Sequence, residues 1–363
     1  MSWKLSKSEN DTSVTLDFLR ALAAFAVFFG HAIDFMGVGF AIKPPNAPYM
    51  QNFGVLIFFT LSGFLIAYTL NRSESSGESF ASYLINRVAR IYSGFLPCFV
   101  FIIVFSLILV NLNLHPIPEQ VNWFVAIVNL LMLNGPPLST LMPQIGVPFG
   151  FPNYPLAGQL WTLPAEFHLY IFVGGLYYFF KRGSLFALIL AALFFYFPNF
   201  YLQFGPTGAH ITLLWIGGFF SYFAGNYLSY QKYNKSVLLT LLVILSFITL
   251  STVIPSQEYD LRIYPYLIII FMLILILTQS TIWLVKHPKL VWLIRYFADF
   301  SFSLYLIHYP ILYIINLNTE IRGWSGLLII GLLIVVLAII LSHIGERHHK
   351  RLAKVIKQSF KIV

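Results

Sequence analysis

The feature that most restricts this chain is a succession of long apolar runs, each able to cross roughly 30 Å of hydrocarbon as a helix. They cover residues 15–36, 51–70, 94–112, 156–180, 184–200, 208–228, 236–254, 263–284, 297–317 and 325–344. Inside a bilayer the backbone has no water to bond, so a run of this length must close its hydrogen bonds within itself, and a helix does so. The expected fold class is therefore all-α, a polytopic transmembrane helix bundle of about ten spans. Residues 121–133 are too short to count as a span. They lead into Asn134-Gly135-Pro136-Pro137 and read as a re-entrant or interfacial piece. With 58% hydrophobic and 10% charged residues and a mean hydropathy of +0.79, no soluble region of domain size remains. The expected organisation is a single membrane domain over residues 1–363, with residues 1–14 a cytosolic N-terminus and 345–363 a basic cytosolic tail.

The formal charge of +9 would suggest nucleic acid in a soluble protein. Here its placement argues for topology instead. With ten spans and the N-terminus inside, Lys4, Lys7, Arg20, Arg72, Arg87, Arg90, Lys181, Arg182, Lys232, Lys235, Lys286, Lys289, Arg295 and the basic tail all fall on the cytosolic side. Only Lys43, Arg262 and Arg322 of the 22 Lys and Arg fall outside. Counting 121–133 as a span would move Lys181, Lys232 and Lys286 to the wrong side. Both termini are thus expected in the cytosol, with the chain multi-pass in the cell (inner) membrane and no nucleic-acid partner. The first run starts too late and is too long for a cleaved signal peptide, so it is expected to stay. Cys98 lies in an apolar run and reads as an inert packing residue. The long outer segments, 37–50 and 113–155, could cover an acceptor site. In the tail, Leu352, Val355, Ile356 and Phe360 recur at helical spacing among Lys and Arg, which fits either an amphipathic helix on an anionic leaflet or a solvated basic segment.

Ionisable groups within spans cost roughly 2.5–3.5 kcal/mol each on insertion scales, so each is a functional candidate. At 100° per residue Asp17, Arg20, His31 and Asp34 share an arc of about 100° on the first helix, with Arg20 and His31 roughly 16 Å apart along its axis. Asp34, one turn past His31, could orient its ring, and Asp17 could neutralise Arg20. A second set comes from Trp161, Glu166 and Tyr170, the last one turn beyond the acid. His308 in Leu306-Ile307-His308-Tyr309-Pro310 is a third candidate. Taken singly, Glu166, His168 and His308 fit satisfied interior residues equally well. Arg87 and Arg90 stand one turn apart where a span meets the cytosol, and guanidinium forks match phosphate oxygens.

Arg20-x10-His31, Gly54-Val55-Leu56-Ile57-Phe58-Phe59 with Ser62-Gly63-Phe64-Leu65-Ile66 behind it, Arg87-x2-Arg90-Ile91, Trp161-Thr162-Leu163-x2-Glu166 and Tyr305-Leu306-Ile307-His308, in this order, resemble the acyltransferase 3 family. The resemblance spans residues 15 to about 345. It implies a membrane-embedded O-acyltransferase moving an acyl group, most often acetyl, from cytosolic acyl-CoA to a carbohydrate acceptor (polysaccharide, lipid-linked glycan or glycoside) beyond the membrane. The sequence stops soon after its last apolar run, so a stand-alone form without a fused esterase-like domain is expected, and no metal is expected. His31 would be the catalytic histidine, Arg20 its companion, and Arg87 and Arg90 part of the coenzyme A site. Arg72 is a weaker coenzyme candidate. Asp34 or Glu166 would hold the imidazole, and Trp161, Tyr170 and His308 would face substrate. Leu56, Ser93 and Pro164 depart from the family's usual pattern. The alternative function is a secondary transporter or flippase using the buried Arg, His and Asp as a proton relay.

Overall fold

The computed structural model describes residues 11–39, 49–112, 123–134, 144, 152–194, 211–228, 234–253, 263–279 and 281–362. Helices run over α1 (Thr12–Met36), α2 (Met50–Ser76), α3 (Phe80–Asn111), α4 (Trp123–Leu130), a 3₁₀ turn (Gly158–Trp161), α5 (Thr162–Arg182), α6 (Leu185–Phe194), α7 (Ile211–Leu228) and α8 (Lys235–Val253). They continue with α9 (Tyr264–Gln279), α10 (Pro288–Ala298), α11 (Ser301–Asn318), α12 (Gly323–Ile344), a 3₁₀ turn (Glu346–His348) and α13 (His349–Ser359). No strand occurs among the described residues.

Among those residues, α1, α2, α3 and the stretch Gly323–Ser359 are long and apolar enough to cross a membrane unaided. A fifth span results if α10 and α11 are taken as one broken helix. At the other expected span positions the described helices are shorter or richer in polar and small residues, so the described residues show four or five such spans where ten are expected. Lys4, Lys7, Lys43, Lys232, Arg262 and most of the outer segments 37–50 and 113–155 lie outside the described residues. The described part of 121–133 forms the eight-residue α4. The boundary at residue 297 moves, because α10 already covers Lys289 and Arg295.

The chain divides into two compact units. The first comprises Met1–Gly30, Gly39–Arg72 and Thr207–Ser301, the second His31–Val38, Ser73–Pro206 and Phe302–Val363. In the first, Leu16, Leu61, Phe64, Tyr222, Phe271 and Leu275 form one buried cluster. Two glycines let α2 and α7 touch backbone to backbone. A Cβ on Gly63 would stand 2.0 Å from the Trp215 carbonyl oxygen, and one on Gly218 would stand 2.1 Å from that of Thr60. Without a hydrophobic drive between helices in lipid, such close packing is what joins them. The indole Nε1 of Trp215 also donates to Ser62 Oγ at 3.1 Å. The run from Gly54 to Ile66, taken from sequence as part of a motif, therefore serves packing.

In the second unit two prolines inside helices govern the design. Proline lacks the N–H that would bond the carbonyl four residues earlier. Pro97 frees the Ser93 carbonyl, and the backbone at Gly345 lies so close that a Cβ there would stand 1.9 Å from it. The next residue, Glu346, is 2% exposed and accepts from Ser303 N at 3.0 Å and Ser303 Oγ at 2.8 Å. A carboxylate there meets the positive end of the α11 dipole. The tail helix α13 lies on α3, and Lys357 Nζ stands 3.4 Å from Glu78 Oε1. Leu352 and Ile356 are half-buried on the packed side, whereas Val355 and Phe360 are exposed.

Candidate active site

The second proline leads to the chemistry. Pro310, in α11, leaves the Leu306 carbonyl without its helical donor, and Gln159 Nε2 fills the place at 2.5 Å. That bond pulls the 3₁₀ turn onto α11. Tyr305 donates its hydroxyl to the Gln159 carbonyl at 2.9 Å, so the Thr162 hydroxyl, 2.7 Å away, gives its proton to Tyr305. Pro164 falls at the third residue of α5, where no intrahelical donor is required, which accounts for its tolerance inside the Trp161-Thr162-Leu163 motif.

The same stretch of α11 carries His308, fully buried, with Nδ1 3.1 Å from the Leu304 carbonyl oxygen and Nε2 2.9 Å from His31 Nδ1. The carbonyl can only accept, so His308 Nδ1 bears the hydrogen and Nε2 of the neutral ring bears the lone pair. His31 Nδ1–H then donates to it, which leaves Nε2 of His31 as the lone-pair nitrogen. The two ring planes are 20° apart with centroids at 5.1 Å, as an in-plane hydrogen bond between them requires, and Tyr309 meets the His31 ring edge-on at 5.2 Å. A neutral imidazole held this way can take a proton from a hydroxyl and spread the resulting charge into its partner.

The sequence reading gave the orienting role to Asp34 or Glu166. At His31 Nδ1 the structure places His308 instead. Glu166 accepts from the Tyr170 hydroxyl, and the Tyr170 carbonyl accepts from Tyr83 at 3.1 Å. Asp34 and Trp161 are half-buried. Arg87 lies over the Tyr83 ring at 5.9 Å, and its Nε is buried without a hydrogen-bond partner. Arg90 is half-buried one turn on. Sequence reasoning missed Gln159. The signal was Pro310 in an apolar run, which requires an outside donor for the carbonyl four residues earlier.

In the first unit Arg20 Nη2 reaches Asp17 Oδ1 at 3.1 Å and the Ala298 carbonyl at 3.3 Å, and Arg295 Nε stands 3.9 Å from Asp17 Oδ2. Ala298 ends α10, so the guanidinium meets the negative pole of that helix. Arg72 is exposed at the close of this unit.

The family model described as an acyltransferase domain matches residues 14–343. The chain belongs to the acyltransferase 3 family. Among its curated relatives, an O-acetyl transferase of Shigella phage Sf6 is 28% identical over 185 residues, 48% of this chain and 49% of that protein. Nodulation protein 10 of Rhizobium leguminosarum bv. viciae is 31% identical over 163 residues, 43% of this chain and 41% of that protein. The chain's matches thus span about half the length of these relatives or less. No solved structure matches it. Within this acyltransferase framework, the His31–His308 pair is where the second unit assembles a hydrogen-bonded couple of titratable rings.

Proposed function

We propose that this protein is a membrane-embedded O-acyltransferase that moves an acyl group, most simply acetyl, from cytosolic acyl-CoA to a hydroxyl of an exported or cell-surface carbohydrate. The observation that carries the reading is the His31 ring, whose Nδ1–H is committed to His308 and whose Nε2 holds the lone pair. In the proposed step His31 Nε2 removes the proton of the acceptor hydroxyl as its oxygen attacks the thioester carbonyl. The C–S bond then breaks, His31 returns the proton to the departing thiolate, and the products are an ester and free coenzyme A. His308 steadies the imidazolium between the two transfers.

Arg87 and Arg90, one turn apart on α3, supply the phosphate site, and the buried, unpartnered Nε of Arg87 supports that assignment. Tyr170 and Trp161 face the acceptor. Arg20 holds the start of α1, and Arg72 adds cytosolic charge. The chain sits in the inner membrane with both termini cytosolic and about ten crossings. The acetyl donor is the simplest choice because a relative of this chain bears the name O-acetyl transferase. Membranes carrying the full chain are supplied with labelled acetyl-CoA and a lipid-linked glycan. Label should enter the glycan with the native protein and not with His31→Ala. Normal transfer by that variant would overturn the mechanism.

A further inference from the structure

In the first unit α1 and α10 run side by side and enclose a groove of about 680 Å³. Phe18, Leu22, Phe25, Leu290, Leu293 and Phe297 line it, and Thr15 is the one lining residue that is not hydrophobic. Its two ends differ. At one, Asp11 fastens the helices, accepting from Thr281 Oγ1 at 2.8 Å and Val285 N at 2.9 Å. At the other, Phe25 and Phe297 close edge to face at 5.4 Å. Between Thr15 and Phe25 the groove follows α1 for about 15 Å, half the hydrocarbon thickness of a bilayer.

The Asp11 end is dressed for a membrane surface. Trp283, beside the Asp11 contacts, is 60% exposed, as an interfacial anchor is, and Trp292 farther along α10 is 64% exposed. Lys286 and Lys289, both exposed, stand four residues before the groove-lining Leu290 and Leu293, and neither is in an ion pair among the described residues. The nearby acids are taken. Asp11 is 2% exposed and bonded, and Asp17 faces Arg20 and Arg295.

We infer that the α1–α10 groove is a binding site for one acyl chain of an anionic phospholipid, with the phosphate headgroup held by Lys286 and Lys289 and the chain end at Phe25 and Phe297. One cationic, aromatic end and a dry slot one leaflet deep fit such a molecule. The site is separate from the His31 chemistry and does not rest on the proposed reaction.

Native mass spectrometry of the full chain in detergent, equilibrated with phosphatidylglycerol or phosphatidylcholine, tests this. The native protein should retain phosphatidylglycerol about tenfold more than phosphatidylcholine. Lys286→Glu with Lys289→Glu should erase that preference. Leu22→Trp with Leu293→Trp, which fills the slot from exposed positions, should reduce retention of both lipids. Reversing Lys350 and Lys354 on α13 should change nothing. An absence of preference in the native protein, a preference surviving Lys286→Glu with Lys289→Glu, or one lost on reversing the tail lysines would overturn the assignment. The charge reversals lie on the surface, so the outcome stands even if the tryptophan variant fails to fold.

Discussion

The two polar ends of α1 share one helix face and handle polarity in opposite ways. Around Arg20 every group is charged and met by a countercharge or a helix pole, through Asp17, Arg295 and the Ala298 carbonyl. Around His31 the ring's hydrogen-bond partner among the described residues is a second imidazole, itself fixed by a carbonyl. A charged cluster of the first kind has its charges paired, with the Nε of Arg20 buried and not hydrogen-bonded, and holds helices in place. A neutral couple of the second kind can gain a proton without first giving up an ion pair. On the proposed reaction, the difference puts framework at one end and chemistry at the other.

The sharpest way to break that assignment is at His31. His31→Ala should lower transfer by about 10²–10⁴-fold, the usual worth of a general base, far beyond the about 1–3 kcal/mol of stability lost by leaving the buried His308 Nε2 unpaired. His308→Ala should cost less, about 10–100-fold in kcat with an altered pH profile. His308→Gln, whose side-chain oxygen can still accept from His31 Nδ1, should recover part of it. Equal, complete losses in both His308 variants would place His308 in direct contact with substrate rather than behind His31.

How much of this was legible in the sequence follows from the range of each interaction. The apolar runs gave the helices, because length and hydropathy act locally. His31 and His308 both stood out as polar groups in apolar runs, yet their partnership joins residues 277 positions apart. One sequence carries no record of such pairing, so the acids Asp34, one turn away, and Glu166 are the orienting candidates it offers. Arg20 and Asp17 are three residues apart, and their ion pair could be anticipated from helical spacing. The Ala298 contact could not. α10 was missed for another reason. It mixes Lys, Arg and Trp with Leu, which blurs the apolar run while suiting a helix at an interface. Pro310 was the cue least used, since it announces an orphan carbonyl without saying which distant side chain answers it.

A smaller effect belongs to that answer. Gln159 is 5% exposed, and its Nε2 supplies the Leu306 carbonyl. Gln159→Leu, close in volume and without the donor, should leave a buried acceptor unpaired and cost about 1–3 kcal/mol, read as a lowered denaturation midpoint. Because the turn holding Gln159 also carries Trp161 and leads straight into Thr162, transfer should fall alongside stability. Unchanged stability would mean that α11 resolves its proline kink without this bond.

Arg20→Lys comes next and probes the framework end. Lysine keeps the charge, but its shorter side chain cannot place a nitrogen where Nη2 meets both Asp17 and the Ala298 carbonyl. The expected loss is about 1 kcal/mol in thermal unfolding, with transfer reduced in proportion. Transfer abolished at unchanged stability would move Arg20 from framework to active site.

The smallest effect lies where the tail helix meets α3, outside both ends of α1. Burial alone would raise the Glu78 carboxyl, but hydrogen bonds from Ser73 and Ser82 and the charge of Lys357 outweigh it and hold the group below its ordinary value. A carboxyl depressed in the folded state stabilises fully above its unfolded value. That contribution drains away as pH falls from there through the folded value. Stability should therefore decline below about pH 4.5, the ordinary value, by under about 1 kcal/mol for this group, since an ion pair that is partly exposed is worth little more. Glu78→Gln should flatten that part of the profile, measured as the urea midpoint across acid pH, and Lys357→Met should flatten it in part. The serines remain in the second variant, so their share and the lysine's separate. If Lys357→Met leaves the acid slope untouched, the serine hydroxyls and the Asn86 amide, 2.6 Å from Glu78 Oε1, set the carboxylate, and α13 is held on α3 by Leu352, Ala353 and Ile356 rather than by charge.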